Sequence, residues 1–337
     1  MLSYIQIVSL FSSITSEYTT FVNSFLRLFD FFSFDFLILG WLGLSCTVGE
    51  SYYDRLIMTM LVPVIITAAV TFLAALFMKF VPMFCCKVIK QPLTEAKITR
   101  VILVTTSFVH TMVSANVMKA FVAVNYDGTD FLKADTMVEF NTDKHRQYLT
   151  GVIIYMIFFI FGYPLILISF VIFKKKSLVE PIDNSGWQMR INFFTRGYRL
   201  DVFYWEGMTM IRKMLCILVT VFVDTPFLKA IYITMITAVF SAIHNYVGPF
   251  RLRILNKMEG ISLACLSLIS AASSLIYGSE DMGYAASNKM AGSILFVICN
   301  VIILGTYLAI FCKLLVKVRK DFGKGSLKNA RNSIATA

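Results

Sequence analysis

The stretch LIMTMLVPVIITAAVTFLAALFM, residues 56–78, runs for 23 residues without a charge, and its reading decides the fold. A helix needs about 20 mostly apolar residues to cross a hydrocarbon core roughly 30 Å thick. Six further runs of this kind follow, at roughly 100–123, 148–173, 203–223, 227–247, 259–277 and 291–312. The 337-residue chain is 58% hydrophobic and 15% charged, whereas a soluble domain carries about 25% charged residues. These observations predict an all-α, polytopic transmembrane helix bundle of seven spans.

The charges between the runs orient it. The stretches after the first, third, fifth and seventh runs hold 5, 6, 3 and 7 Lys and Arg, 21 in all. The alternate stretches hold 7, and the last three of the 31, Lys119, Arg212 and Lys213, fall inside runs. Acidic residues lean the other way, with 13 of 20 on the side poor in Lys and Arg. Cytoplasmic segments carry the excess of positive charge, so the N-terminus is expected outside and the C-terminus inside. The net charge of +11 then belongs to one membrane face, where anionic headgroups attract each basic residue by about 1 kcal/mol; nucleic acid is not needed to explain it. The expected partners are membrane lipids, anionic on the inner face, and other membrane subunits or further copies of the chain, in the plasma membrane or an endomembrane.

Three regions follow from the pattern. Residues 1–54 are apolar but interrupted by Glu17, Arg27, Asp30 and Asp35. Within them, Phe21, Phe25, Leu28 and Phe32 recur at helical spacing, as in an interfacial or re-entrant helix on the outer leaflet. No cleavable leader is expected, because the first residues lack a basic segment and a small-residue cleavage site. Residues 55–317 form the membrane domain. Its outer loop 124–147 is polar, with a Tyr-Asp-Gly turn at 126–128. Its inner loop 174–202 leads into RINFFTRGYRLDVFYW (190–205), which reads as an amphipathic helix on the inner leaflet. Residues 318–337 are a basic cytoplasmic tail, disordered in part.

Seven cysteines build no disulfide framework. Cys46 alone lies on the outer side, which hints at a partner in another chain. Cys216, Cys265 and Cys299 sit within runs as small buried hydrophobes. Cys85 and Cys86, beside Lys87, are either palmitoylation candidates or ordinary interfacial residues. No Cys/His spacing suits a metal, no HExxH, G-x-S-x-G or P-loop pattern occurs, and no cofactor or catalytic residue is expected.

Ionisable groups at membrane depth are the candidate functional residues, since each of Arg, Lys or Asp at a helix centre opposes insertion by about 2.5–3.5 kcal/mol. The fourth run carries Glu206, Arg212 and Lys213. The two cations either snorkel to cytoplasmic phosphates, or join Glu206 in a bundle-facing cluster that couples the helix to the inner loops or binds a lipid headgroup. His110, Asn116 and Asn300 either bond to neighbouring helices or line a water-filled pathway.

The residues Tyr198, Tyr204-Trp205-Glu206, Arg212-Lys213, Pro249, Asn256 and Glu259, with YIQIVSLF (4–11), Cys46 and Tyr52-Tyr53…Pro63 ahead of them, carry a resemblance. The chain is similar to the TRP-like membrane region of large protist multi-pass proteins, and more distantly to fungal TRP-like flavin-carrier and polycystin-type proteins. That resemblance implies a helical bundle associated with a large extracellular region, and either of two roles. One is a TRP-like cation channel or transporter, which needs a pore segment between the last helices; the link Gly278–Met290 there is short. The other is a non-conducting module that senses, anchors or assembles within a larger complex.

Overall fold

The structure, a computed structural model, describes Ile7, residues 51–84, 95–173, Thr195, 197–278, 290–310 and Cys312. The expected outer helix in 1–54, residues 190–194 and Arg196 of the expected inner amphipathic helix, Cys85 and Cys86, and the tail 318–337 lie outside the described residues; the rest of that inner stretch, 197–204, is not helical but forms turns and a β-bridge from Tyr198 to Phe250, which ties it to the chain after the fifth run.

Seven long helices make up the described fold: α1 (Tyr52–Phe84), α2 (Glu95–Met118), α3 (Asp143–Phe173), α4 (Trp205–Phe222), α5 (Pro226–Val247), α6 (Arg253–Gly278) and α7 (Met290–Ile310). Six of them, all but α4, contain a stretch long and apolar enough to cross a membrane. They leave large apolar side chains on the surface, among them Val64 and Phe72 on α1, Phe158 and Ile166 on α3, Met235 on α5 and Leu308 on α7. A water-soluble monomer rarely exposes contiguous apolar patches beyond a few hundred Å². Such faces are consistent with an integral membrane protein.

The fourth run departs from the seven-span expectation. Helix α4 has 18 residues and carries Glu206, Arg212 and Lys213, so it falls short of the apolarity of the other six. The reason is its position. It packs on α2, α3 and α5, and only Leu215 and Phe222 along it are exposed. Its Met214 and Ile217 belong to the core built by α1, α2 and α3, while Cys216 belongs to the core shared with α5, α6 and α7. A helix wrapped in protein is relieved of the demand that lipid contact places on composition.

The loop after α2, expected on the outer side, also differs from the expected all-α architecture. Residues 123–139 form an antiparallel sheet of β1 (Ala123–Tyr126), β2 (Thr129–Leu132) and β3 (Asp135–Glu139) in that order. Tyr126 pairs with Thr129 across Asp127-Gly128, whose φ angles of 49° and 84° suit the primed two-residue turn that strand twist favours. Leu132 plants the sheet on the bundle core. Around it, Arg55 on α1 pairs with Asp135, and Lys133 pairs with Asp224 in the α4–α5 link. Tyr53 stacks on Tyr148 of α3 at 4.3 Å. This end of the bundle is therefore tied together by polar and aromatic contacts; it is called the sheet end below.

Candidate functional site

At the opposite end the chain makes a clasp. Helix α5 stops where Gly248 takes a left-handed φ of 56°, its N–H bonded to His244 O, and Pro249 prevents continuation. The next residues pair with the strand-like segment before α4: Arg199 N–H donates to Pro249 O at 2.8 Å and Arg251 N–H to Gly197 O at 3.1 Å. Tyr198 and Phe250 face each other in this bridge with rings 4.9 Å apart. The Arg251 Nε donates to Tyr198 O at 2.7 Å, and the Arg199 guanidinium donates to Val247 O at 3.0 Å. Asn256 on α6 then grips Phe250 from both sides, accepting from its N–H at 2.8 Å and donating to its carbonyl at 2.9 Å.

The clasp opens onto the charges of α4. The Tyr198 hydroxyl donates to Glu206 Oε2 at 2.7 Å. Burial, and then the Glu206 carboxylate beside it, pushes this phenol well above its ordinary value. One and a half turns further along α4, the Arg212 guanidinium donates to Glu259 Oε1 of α6 at 3.0 Å. Arg212 is 3% exposed; it turns into the bundle and away from any surface. Lys213 interacts electrostatically with Glu206, Arg212 and Glu259. The ring of His244 lies between Trp205 and Phe250, and its Nε2–H donates to Asn256 O at 3.1 Å, since a carbonyl can only accept. Beyond Glu259, Ser262 meets the Tyr307 hydroxyl of α7 at 3.3 Å. Two cations and two carboxylates thus lie together where α4, α5 and α6 meet, closed on one side by the clasp.

The approach of α3 to this site depends on Gly207. A Cβ there would run into the side chain of Ile168. A crevice bounded by Leu167, Ile168, Val171, Phe203, Tyr204, Glu206 and Gly207 remains between the two helices.

His110 and Asn300 lie elsewhere and apart. His110, 2% exposed, donates from Nε2 to Ile160 O of α3 at 3.0 Å. Its acceptor sits in a π-helical turn, Met156–Phe161, a rare local departure from the α-helical pattern. Tyr163, one turn on, bonds through its hydroxyl to Leu103 O at 3.1 Å and to Ser107 Oγ at 2.9 Å, so three hydrogen bonds join α2 and α3 among the described residues. Asn300, 0% exposed, donates to Phe296 O of its own helix at 2.8 Å. Asn116 accepts from Lys119 Nζ at 2.9 Å near the sheet end. Cys216, Cys265 and Cys299 are free thiols in one buried core.

Of the residues singled out in the sequence, Tyr198, Trp205, Glu206, Arg212, Lys213, Pro249, Asn256 and Glu259 converge on the clasp and its charge cluster. What the sequence reading missed is the pairing of Arg212 with Glu259, 47 positions away. The signal was present, since Glu259 opens the sixth apolar run, yet nothing local says which cation it meets. No protein-family model, curated protein or solved structure matches the chain.

Proposed function

We propose that this chain is a seven-span membrane protein, N-terminus outside and C-terminus inside, whose TRP-like bundle serves as a non-conducting module for sensing, anchoring or assembly within a larger membrane complex. The observation that carries this reading is the state of the deep polar groups. His110, Arg212 and Asn300 are each at most 3% exposed and each bonds to protein. An ion path must instead present polar groups to water across the bilayer, because a purely apolar constriction dewets.

The seventh span is α4. Its first turn bonds to the clasp through Glu206, and Asp224, just past its end, pairs with Lys133 of the sheet. The helix therefore reaches from one end of the bundle to the other in company with its neighbours. The excess of basic residues in the links at the clasp end supports a cytoplasmic position for that end.

The alternative, a TRP-like cation channel or transporter, is separated by reconstitution. Folded wild-type protein in planar bilayers is expected to pass no current across a range of voltages and stimuli. A current that disappears in the H110L/N300L double variant, with folded yield unchanged, would overturn the non-conducting reading.

A further inference from the structure

The outer surface of the clasp is not accounted for by the packing beneath it. Arg251, Arg253 and Lys257 are exposed there, and with Arg199 and its partner Asp201 they make four cations against one carboxylate, a local charge of +3. Among the described residues neither Arg253 nor Lys257 is paired with a carboxylate. Between these cations the chain exposes Leu200, Leu252 and Ile254, and Tyr246 on the last turn of α5 is 92% exposed. The sheet end is different: it carries Asp54, Asp127, Asp130, Asp135, Glu139, Asp143 and Asp224 against Arg55, Lys119, Lys133, Lys144, Arg146 and Lys229, seven against six, and Arg55 pairs with Asp135 and Lys133 with Asp224.

Exposed aliphatic side chains between cations, two of which have no carboxylate partner among the described residues, suit one environment. A purely polar ligand leaves Leu200, Leu252 and Ile254 in water, and an apolar partner strands Arg253 and Lys257. The boundary of a bilayer satisfies both, with acyl chains against the aliphatics, the tyrosine ring at headgroup depth and phosphates against the cations. The position agrees, because the surface is continuous with the apolar faces of α5 and α6 at the level where both helices end.

We propose that the surface formed by Arg199–Asp201 and Tyr246–Lys257 is a docking surface for the headgroups of anionic membrane lipids. This rests on the membrane-spanning reading and adds to it a partner and a place. It also gives that partner a route inward. Arg251 holds the Tyr198 carbonyl and Tyr198 holds Glu206, so a headgroup engaging Arg251 sits two bonds from the buried charges of α4.

The test uses the full chain in nanodiscs of phosphatidylcholine with and without phosphatidylglycerol, followed by mass spectrometry of the lipids retained after gentle extraction. Wild-type protein is expected to retain phosphatidylglycerol in preference to phosphatidylcholine, less so as salt is raised. The R253Q/K257Q variant, which alters only exposed side chains, is expected to hold it roughly 25-fold more weakly. A K144Q/R146Q variant at the sheet end is expected to behave as wild type. Equal retention by R253Q/K257Q and wild type, or wild-type retention indifferent to salt, would overturn the proposal. Should R253Q/K257Q fail to fold, the salt series on the wild type decides alone. A wild-type chain that never enters nanodiscs sinks the membrane-spanning reading instead, whereas entry without any preference for phosphatidylglycerol sinks only this one.

Discussion

Arg212 and Glu259 illustrate how a buried charge is held. Each offsets the burial of the other's charge through the ion pair at 3.0 Å. Breaking such a pair by removing one partner typically costs about 3–5 kcal/mol, because the survivor stays buried and uncompensated, while replacing both by apolar residues is far milder. Arg212→Met is therefore expected to destabilise the protein strongly, and R212M/E259L much less than the sum of the two single changes. Unfolding in detergent across the four-member cycle measures the coupling; additive losses would place the two side chains out of contact. Glu206→Gln belongs to the same network and is expected to weaken wild type more than a variant already lacking Arg212 and Lys213. His110 is held more lightly. Interhelical hydrogen bonds in membranes average about 0.6 kcal/mol and reach roughly 1.7 kcal/mol, so His110→Leu is expected to lower stability within that range, read by the same unfolding assay. Position 110 was visible in the sequence as a polar group in an apolar run; its acceptor was not, because a π-helical turn on another helix leaves no local mark.

At the scale of elements, two contacts are exposed to single-residue tests. Gly207 lets α3 and α4 approach, and Gly207→Ala forces Ile168 aside. Overpacking of this kind costs about 1–3 kcal/mol, and I168A in the same chain is expected to restore most of it. Rescue by I168A, but not by truncation at the exposed Ile166, is the diagnostic outcome in thermal melts. The sheet is latched to the α4–α5 link by Lys133 and Asp224. The Lys133 ammonium donates to Asp224 and holds its carboxyl below the usual range, against a weaker opposing effect of burial. A carboxyl depressed in the folded state stabilises above its unfolded value of about 3.9 and loses that contribution as pH falls through the folded value. Wild type and Asp224→Asn are thus expected to differ slightly at neutral pH, the pair being exposed, and to converge once the pH has fallen through the folded value of the Asp224 carboxyl. A difference that grows on acidification would contradict the latch. The strands themselves were half legible. Asp127-Gly128 announces a turn, but the flanking residues are too polar to read as strands without the Leu132 anchor that buries one face of the sheet.

For the molecule as a whole, the hydrophobic runs made the helices legible because lipid imposes length and composition directly on the sequence. Six helices obey that rule on their exposed faces. The fourth obeys packing instead, and packing is written in pairs of distant residues. The proposed orientation is tested by single cysteines introduced at Met137, 93% exposed on the sheet, and at Leu252 in the clasp. An impermeant thiol reagent on intact cells is expected to reach M137C and to reach L252C only after permeabilisation; labelling of L252C from outside would invert the topology.

The central position of α4 carries a consequence for how the protein is made. Helices enter the bilayer from the translocon in chain order, and a segment is released sideways according to its own partition energy. With Glu206, Arg212 and Lys213 on it, α4 is a poor client when it arrives, because Glu259 has not yet been synthesised. On the proposed topology it must wait, held by the translocon or by the earlier helices, until α6 brings the counter-charge. Chains truncated after Val247 are expected to leave α4 accessible to a glycosylation tag or to degradation, whereas chains extended beyond Gly278 integrate it. The ion pair would then act as a checkpoint in biogenesis, admitting the middle of the bundle only once its second half exists.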